Sequence, residues 1–326
     1  MSDRPIVVVL GTGVDDPPPG VEAALPHVEL RYAPDGSALP DAIADADAVF
    51  FWRAEGEWLR RAWPHAARLR WIQTASDGVD GLMFPELVES GVEVTNARGV
   101  FEDAIAEWVI GAMLAFAARI LEQRDRQARG EWDSTSRERL AGSRLLVVGP
   151  GPIGRATATR ARALGMQIEA AGRAARDDDL FGTIVATGDA GAFRAALGRA
   201  DHVLDALPLT PGTRGLFDAP RFAAMRPTAR FYNVGRGATV DEAGLIDALE
   251  GGVIAGAGLD VFREEPLPAG SPLWAMPQVL ISPHMCGDVE GWEAEVVGVF
   301  AENAARFARG EPLRNRVDTA AGFGIG

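Results

Sequence analysis

The amino-acid sequence predicts an α/β protein of two domains, each built on a doubly wound parallel sheet. The length of 326 residues exceeds that of one typical domain. The N-terminal region alternates strand-like with helix-like segments, which is typical of a parallel sheet with helices on both faces. Residues 144–173 then read as a strand, a glycine-rich turn, a helix and a second strand, the beginning of a Rossmann unit.

The elements follow from the spacing of apolar residues. In the N-terminal region, strands are predicted at residues 6–10, 28–32, 48–52, 69–74 and 92–95. Short helices are predicted between them at residues 20–25, 41–44, 57–62 and 83–90. The longest helical pattern is at residues 101–121, with Glu102 and Asp103 near its start and Arg119 near its end, where they match the helix dipole.

A glycine fingerprint is the most specific local signal. Gly149, Gly151 and Gly154 fit the pattern G-x-G-x-x-G after an apolar strand, with Pro152 and Ile153 as its last two variable positions, and a helical segment follows to Leu164. The first glycine allows a tight turn, the second lets a pyrophosphate approach the backbone and the third lets helix and strand pack closely. The helix N-terminus adds free N–H groups and the positive end of a dipole. These features predict a dinucleotide site.

The end of the next strand bears on the choice of cofactor. In NAD-binding units an acidic residue about twenty positions after the fingerprint binds the ribose, whereas an Arg accommodates the 2′-phosphate of NADP. Here Gly172 and Arg173 stand at that position, with Arg176 nearby. A guanidinium group is a planar cationic fork that suits phosphate. The sequence therefore favours NADP, with NAD as the alternative.

Composition and charge exclude several classes of function. The formal net charge is −14 and the isoelectric point is near 4.8, which argues against nucleic acid or an anionic membrane as a partner. The single cysteine, Cys286, excludes an internal disulfide, and no two histidines stand at ligand spacing, so no metal is expected. Because neither a secretion signal nor a transmembrane apolar run is present, we expect a cytoplasmic protein.

Five later strands are predicted, at residues 184–185, 202–207, 229–234, 256–260 and 279–282. Charged or polar residues follow the last three of them. The carboxyl ends of parallel strands line the ligand crevice of a doubly wound fold. Arg236, His284 and one of two carboxylates, Glu264 or Glu265, could form a dehydrogenase site there. The Arg would clamp a substrate carboxylate, and the His would exchange a proton while the carboxylate stabilises its charge. Taken singly, each could also be an ordinary hydrogen-bonded loop residue.

A series of short motifs resembles those of the D-2-hydroxyacid dehydrogenase family over nearly the whole chain. The motifs are SDGVD (76–80), NARGV (96–100), LPLT (207–210), TRG (213–215), NVGRG (233–237), VDE (240–242), GLDVF (258–262), EPLP (265–268), SPLW (271–274) and SPH (282–284). Within that family the chain looks like its NADPH-using glyoxylate/hydroxypyruvate reductases. The resemblance implies that Arg236 binds the substrate carboxylate and carbonyl and that His284 is the acid/base. Its partner would be Glu265, because the family's glutamate directly precedes a proline.

The resemblance also implies where cofactor and substrate bind. Asp260 would contact the nicotinamide end of the cofactor, and the other implied cofactor contacts are Leu207, Pro208, Thr213, Val234 and Gly235. The backbone of Ser76, Asp77 and Gly78 would hold the substrate carboxylate. Trp52 and Arg53 could face the substrate side chain or could be surface positions, so glyoxylate, hydroxypyruvate and larger 2-keto acids all stay open as substrates.

The family fold implies an inserted domain. A Rossmann cofactor domain at residues 98–288 would interrupt a flavodoxin-like substrate domain at residues 1–97 and 289–326, and the last helix, 292–309, would cross back. Members are usually homodimers joined through the cofactor domain, to which the helix at 101–121 commonly contributes. Cys286 is expected to be a packing residue, although its oxidation could modulate the site.

Two other functions are compatible with the same fold or with the same type of active site. The chain could be a corepressor that senses dinucleotide without turnover, but the presence of Arg236, Glu265 and His284 argues against this. It could also oxidise a non-carbon substrate such as phosphite. A formate reaction is not expected, since Glu265 stands where formate dehydrogenases carry a glutamine. The expectation is an NADPH-preferring 2-ketoacid reductase, or D-2-hydroxyacid dehydrogenase.

Overall fold

The computed structural model describes residues 4–320 and 323–324, and the chain divides into two compact units. One comprises Met1–Phe101 and Glu290–Gly326, and the other comprises Glu102–Val289. Each unit holds its own sheet of mainly parallel strands, which confirms the predicted fold class. The domain limits of 97/98 and 288/289 stay a prediction.

The first unit is a five-stranded parallel sheet with strand order β2-β1-β3-β4-β5. Its elements are β1 (Ile6–Leu10), α1 (Val21–Ala24), β2 (Glu29–Ala33), α2 (Leu39–Ile43), β3 (Ala48–Phe51), α3 (Gly56–Ala62), β4 (Trp71–Thr74), α4 (Pro85–Ser90) and β5 (Glu93–Thr95). Val8, Val49 and Ile72 lie side by side on neighbouring strands and are fully buried. β1 and β3 are apolar throughout, as expected of parallel strands whose two faces are both covered.

The second unit is an eight-stranded sheet with strand order β13-β12-β11-β10-β6-β7-β9-β8. Its elements are α5 (Glu102–Ala117), α6 (Ile120–Ala128), β6 (Arg144–Val148), α7 (Pro152–Ala163), β7 (Gln167–Gly172), β8 (Arg176–Asp178), β9 (Gly182–Ala186), α8 (Ala190–Leu197), β10 (His202–Asp205), α9 (Ala219–Phe222), β11 (Arg230–Asn233), α10 (Glu242–Glu250), β12 (Gly256–Leu259) and β13 (Val279–Ile281). Leu146 and Val148 enter one apolar core while Leu145 and Val147 enter another. Alternate residues of β6 therefore fill cores on opposite faces of the sheet.

The chain returns to the first unit through α11 (Trp292–Arg309) and the short strands β14 (Val317–Asp318) and β15 (Phe323–Gly324). Phe300 of α11 is fully buried. Its ring stacks on Phe50 with a centroid distance of 4.0 Å and on Trp71 at 5.4 Å. This aromatic packing joins the last helix to β3 and β4.

One predicted element is wrong. The single helix expected at residues 101–121 is the pair α5 and α6, which meet with a bend of 60°. Arg119 lies between them with a φ of 56°, a left-handed conformation that ends α5. Arg119 consequently precedes α6 and donates to Glu122, so it does not match the dipole of α5. Within the described part of the chain, no single helix could span a membrane, and only this bent pair, taken together, has the length and composition to do so.

Candidate active site

The glycine fingerprint forms the turn between β6 and α7. Gly149 has a φ of 100°, and a Cβ there would lie 2.6 Å from the carbonyl oxygen of Ala206. A Cβ on Gly154 would lie 2.7 Å from Cγ1 of Val147, so helix and strand could not approach as they do. A Cβ on Gly151, by contrast, would meet nothing within 4 Å. This open N-terminus of α7 fits the pyrophosphate of a dinucleotide.

The end of β7 bears a cation and no carboxylate. Gly172 is the last residue of β7, and a Cβ there would lie 3.3 Å from Cδ of Pro150, so the fingerprint turn packs on this strand end. Arg173 follows as an exposed residue. The nearby Asp178 is ion-paired with Arg155 and accepts two backbone N–H groups of its own hairpin. The charge of Asp178 is thus offset within the β8–β9 hairpin.

Three segments predicted to bind cofactor lie together. The loop after β10 is closed by Thr213, whose hydroxyl accepts from the N–H of Thr210 at 2.8 Å and donates to the carbonyl of Pro208 at 2.6 Å. A Cβ on Gly235, in the loop after β11, would lie 2.5 Å from the carbonyl oxygen of Leu207. Val234 precedes this glycine, and a Cβ on Gly149 would lie 3.1 Å from the nitrogen of Leu207. The fingerprint and both loops therefore meet by close backbone contact.

Arg236 lies on the loop after β11, which Asn233 supports on both sides. Asn233 Oδ1 accepts the N–H of Gly235 at 3.0 Å, and Nδ2 donates to the carbonyl of Arg236 at 3.2 Å. A Cβ on Gly237 would lie 1.9 Å from the carbonyl of Phe262, so only glycine lets the loop lie against the segment after β12. Arg236 itself is partly buried, and its Nη1 donates to the carbonyl of Gly235 at 2.8 Å.

His284 and Glu265 form a hydrogen-bonded pair. His284 Nδ1 lies 2.7 Å from Glu265 Oε2, and the other carboxylate oxygen accepts the N–H of Phe262 at 2.9 Å. The hydrogen bond to Glu265 raises the pKa of His284, although desolvation opposes this. Burial disfavours the charge on Glu265, but the hydrogen bonds from His284 and Phe262 hold its pKa below the ordinary value. Because Nδ1 faces Glu265, Nε2 is the ring nitrogen that can exchange a proton with a ligand.

Arg236 belongs to the same electrostatic group as the His284–Glu265 pair. Its positive charge acts to lower the pKa of both His284 and Glu265. A cation, an imidazole and a carboxylate from three successive strand ends are thus coupled in the second unit. Such a group can bind an anion and transfer a proton.

Asp260 supports the backbone of His284. The carbonyl of Asp260 accepts the N–H of His284 at 2.8 Å, and its Oδ1 accepts the N–H groups of Met285 and Cys286, each at 3.0 Å. His284 has a φ of 54°, a conformation rare for residues other than glycine. Asp260 therefore fixes a strained backbone at the imidazole. The adjacent Cys286 is buried, and this burial raises the pKa of its thiol.

The predicted substrate loop lies in the first unit, after β4. Ser76 Oγ donates to the carbonyl of Gly78 at 2.8 Å. Asn96 Nδ2 donates to both the carbonyl and the carboxylate of Asp77, each at 2.8 Å, and the N–H of Ala97 donates to the carbonyl of Ser76 at 3.0 Å. The segment after β5 therefore shapes this loop. From the sequence, Asn96 was part of the NARGV motif, with no predicted role of its own.

Trp52 and Arg53 follow β3, beside this loop. The N–H of Ala75 donates to the last residue of β3 at 3.0 Å, which sets the two strand ends next to each other. Trp52 is only 7% exposed and stacks on Trp292 with a centroid distance of 5.8 Å. Arg53 is ion-paired with Glu293 at 2.5 Å. Trp52 is therefore mainly a packing residue, and the charge of Arg53 is balanced by Glu293.

Two residues of the second unit support the candidate site but could not be predicted from the sequence. Asp205 lay within an apolar strand predicted at 202–207, and Thr239 lay beyond the NVGRG motif. In the structure both are fully buried and joined by a hydrogen bond of 2.5 Å beneath the Arg236 loop. Because the two residues are 34 positions apart in the chain, inspection of the sequence does not reveal this contact.

Known proteins are similar to this chain in sequence and in fold. Residues 110–286 match the D-isomer specific 2-hydroxyacid dehydrogenase, NAD binding domain. Over 252 residues, 76% of this chain and 74% of the relative, the chain is 33% identical to a glyoxylate reductase of Thermofilum pendens. The chain belongs to the D-isomer specific 2-hydroxyacid dehydrogenase family. It is accordingly an oxidoreductase that uses NAD(P) and acts on the CH–OH group of donors.

Solved structures of the family resemble this dehydrogenase over almost its full length. A D-isomer specific 2-hydroxyacid dehydrogenase from Xanthobacter autotrophicus Py2, in complex with NADPH and MES, has a TM-score of 0.81 at 30% identity and covers 97% of this chain and 99% of that one. An NADPH-dependent glyoxylate/hydroxypyruvate reductase from Sinorhizobium meliloti, in complex with NADP and sulfate, has a TM-score of 0.81 at 27% identity and covers 98% of this chain and 100% of that one.

Proposed function

We propose that this dehydrogenase is an NADPH-preferring 2-ketoacid reductase in which His284 is the proton donor and Arg236 binds the substrate carboxylate. The observation that carries the proposal is the 2.7 Å contact between His284 Nδ1 and Glu265 Oε2. It fixes the imidazole and keeps it protonated at higher pH than a free histidine, as a proton donor to a carbonyl requires.

Each polar residue has a distinct part in this reaction. The bound cofactor supplies a hydride to the carbonyl carbon of the substrate. His284 delivers a proton from Nε2 to the carbonyl oxygen, and Glu265 stabilises the imidazolium before that transfer. Arg236 pairs its guanidinium group with the substrate carboxylate and supports the charge that develops on the neighbouring oxygen. The substrate contacts expected of Ser76, Asp77 and Gly78 in the first unit stay a prediction.

The preference for NADPH rests on the end of β7. Arg173 stands where an NAD-binding unit needs a carboxylate, and Asp178 of the following hairpin is paired with Arg155. Two similar solved structures hold NADPH or NADP. We expect Arg173 to bind the 2′-phosphate.

A homodimer joined through the second unit also belongs to the proposal. Three large apolar side chains are exposed in α5, in α6 and after it: Leu114 at 41%, Ile120 at 51% and Trp132 at 99%. A partner subunit would bury them. Light scattering of the purified protein should give twice the chain mass of 34.6 kDa, and a monomer would contradict this part.

The proposed function is tested with a panel of 2-keto acids. The panel runs from glyoxylate and hydroxypyruvate, the substrates in the names of its relatives, to pyruvate and to branched and phenyl keto acids. Each is supplied with NADPH and with NADH, and the loss of reduced-nicotinamide absorbance is followed. Turnover with a higher kcat/KM for NADPH is the expected result. Protein that binds NADPH but reduces none of these acids would refute the proposal, and activity with phosphite would then be measured.

A further inference from the structure

Asp205 is a fully buried carboxyl at the end of β10 that touches none of the reacting groups proposed above. Its side chain has no exposed surface. Oδ1 accepts the backbone N–H of Leu207 at 3.0 Å, and Oδ2 lies 2.5 Å from the hydroxyl oxygen of Thr239. The carboxyl therefore joins the loop after β10 to the loop after β11, which carries Arg236.

The hydroxyl of Thr239 lies between two oxygen atoms and cannot donate to both. Its Oγ1 is 2.5 Å from Asp205 Oδ2 and 2.6 Å from the carbonyl oxygen of Arg236. A threonine hydroxyl has one proton, and a carbonyl oxygen has none. If Asp205 were ionised, one of these short contacts would be a pair of oxygens with no proton between them. A protonated Asp205 satisfies both, because it donates to Thr239, which then donates to Arg236.

The surroundings of Asp205 favour the neutral carboxyl. Its neighbours in the sheet register are Val148 of β6 and Asn233 of β11, and residues 206–212 are uncharged. The loop at residues 234–240 contains one cation, Arg236, whose Nη1 donates to the carbonyl of the preceding residue. Burial raises the pKa of Asp205 to about 7, although the hydrogen bonds that Thr239 and Leu207 would donate to the ionised carboxylate act to lower it.

We propose that Asp205 is a positioning residue for Arg236 and acts as a neutral hydrogen-bond donor. Asp205 donates its proton to Thr239, and Thr239 donates to the carbonyl of Arg236, so the backbone that carries the guanidinium group is fixed from the buried side. This inference rests on the proposed role of Arg236 in binding the substrate carboxylate. A small displacement of the guanidinium group would then weaken substrate binding.

Substitutions of Thr239 test the hydrogen-bond chain. Thr239→Val keeps the shape but removes the hydroxyl, and Thr239→Ser keeps the hydroxyl. In the enzyme–NADPH complex, we expect Thr239→Val to raise the Kd of oxamate, an unreactive analogue of a 2-keto acid, and the KM of the best substrate by about 10-fold. The Kd of NADPH should stay the same, and kcat should change less than these two constants. In Thr239→Ser, the oxamate Kd and the substrate KM should both lie within about 3-fold of the wild type. An oxamate Kd unchanged by Thr239→Val would overturn the proposal.

Substitutions of Asp205 separate a neutral donor from a buried charge. Asp205→Asn is uncharged but keeps a donor for Thr239 and an acceptor for the N–H of Leu207. Asp205→Leu removes both. We expect Asp205→Asn to bind oxamate within about 3-fold of the wild type and Asp205→Leu to lose about 10-fold or more. Equal loss in the two variants, with both shown to be folded by circular dichroism, would mean that the charge is needed and would overturn the proposal.

The proton on Asp205 can be observed without turnover. In protein labelled with ¹³C at the aspartate carboxyl, the resonance absent from Asp205→Asn identifies this residue. We expect it to titrate with a midpoint near the pKa of about 7. A carboxyl that stays ionised down to about pH 5, close to an ordinary aspartate, would refute the inference. Lack of turnover with every 2-keto acid would instead refute the proposed function, and this titration would still decide the state of Asp205.

Discussion

At the scale of single residues, His284 and Glu265 titrate as a coupled pair. The carboxylate raises the pKa of the imidazole, so the protonated form persists above the ordinary value of 6.5. In the proposed reaction, reduction of the keto acid uses that proton and oxidation of the hydroxy acid uses the neutral ring. Stabilisation of the charged imidazole is therefore present at low pH and is lost as the pH rises through its folded pKa.

The pH profile of reduction should follow this pair. We expect kcat/KM for 2-keto acid reduction to fall as the pH rises, with a midpoint above 6.5, the ordinary pKa of histidine. In Glu265→Gln the midpoint should move to lower pH, because the charge that stabilises the imidazolium is gone. Steady-state rates across the pH range measure both. A midpoint that Glu265→Gln leaves in place would show that the pair does not control the proton.

Arg173 should control cofactor choice. We expect Arg173→Ala to raise the KM of NADPH by about 10-fold or more, since a charge-assisted hydrogen bond to phosphate is lost, and to leave the KM of NADH within about 2-fold. The matched control is Arg194→Ala, which removes an exposed arginine from α8. Equal effects of Arg173→Ala on the two cofactors would contradict a 2′-phosphate site.

The sequence indicates the candidate reacting groups but not the residues that support them. Arg236 and His284 stand out because they follow apolar strands whose carboxyl ends line the ligand crevice of a doubly wound fold. The residues alone left Glu264 and Glu265 as alternatives, and the 2.7 Å contact with His284 is made by Glu265. Asp205 could not be predicted, because its burial and its contact with Thr239 arise only when two loops fold together.

At the scale of elements, the three fingerprint glycines have different physical tasks. A side chain at Gly154 would collide with β6, whereas a side chain at Gly151 would point into open space at the start of α7. Gly154 is therefore needed for the packing of α7 against β6. Gly151 is needed so that a ligand can approach the N-terminus of α7.

Alanine substitutions should separate these tasks. We expect Gly151→Ala to leave the free energy of unfolding within about 0.5 kcal/mol of the wild type and to weaken NADPH binding. Gly154→Ala should destabilise the protein by about 1–3 kcal/mol, because a methyl group is forced into a filled core. Urea unfolding and NADPH fluorescence titration measure the two effects. Loss of stability in Gly151→Ala with normal NADPH affinity would reverse the assignment.

Element boundaries were predictable where the pattern was strong. The strands and the last helix follow from apolar runs, and α11 at Trp292–Arg309 has the limits that were predicted. The break at Arg119 was not predictable, since Arg favours helix and nothing local requires its left-handed conformation. The edge strand β8 was also missed because Arg176–Asp178 is entirely charged and pairs only with β9.

At the scale of the whole molecule, each unit depends on its own polar anchors. Asp47 joins the starts of two strands in the first unit, because its Oδ2 accepts the N–H of Ile6 at 3.0 Å and its Oδ1 contacts Arg68 and Arg70 at 3.1 and 3.2 Å. Burial disfavours this charge, but the hydrogen bonds and the two cations hold the pKa of Asp47 below 3.8. The contribution of Asp47 to stability is therefore present above that pH and is lost as the pH falls through the folded pKa.

Removal of this anchor should destabilise the first unit. We expect Asp47→Ala to lower the free energy of unfolding by about 2 kcal/mol at pH 7, because the partly buried N–H of Ile6 loses its acceptor. The more exposed Asp45, paired with Arg31, gives the control Asp45→Ala, which should cost less than about 1 kcal/mol. Denaturant unfolding measures both. Equal losses in the two variants would contradict the role of Asp47.

The division of the chain into two units was predictable only in outline. Alternating strands and helices predicted two parallel sheets, whereas the return of residues 290–326 to the first unit depends on contacts such as that of Phe300 with Phe50, which sequence spacing does not encode. The family resemblance implies such a return, with domain limits that stay a prediction.

The central claim is that His284 donates the proton in reduction of a 2-keto acid. The most direct measurement compares kcat for NADPH-dependent reduction in wild type, in His284→Ala and in His65→Ala, which removes an exposed histidine of the first unit. We expect His284→Ala to lose about 100- to 10,000-fold in kcat, the usual contribution of a general acid, with NADPH binding intact and His65→Ala unchanged. Turnover of His284→Ala at the wild-type rate would contradict the claim.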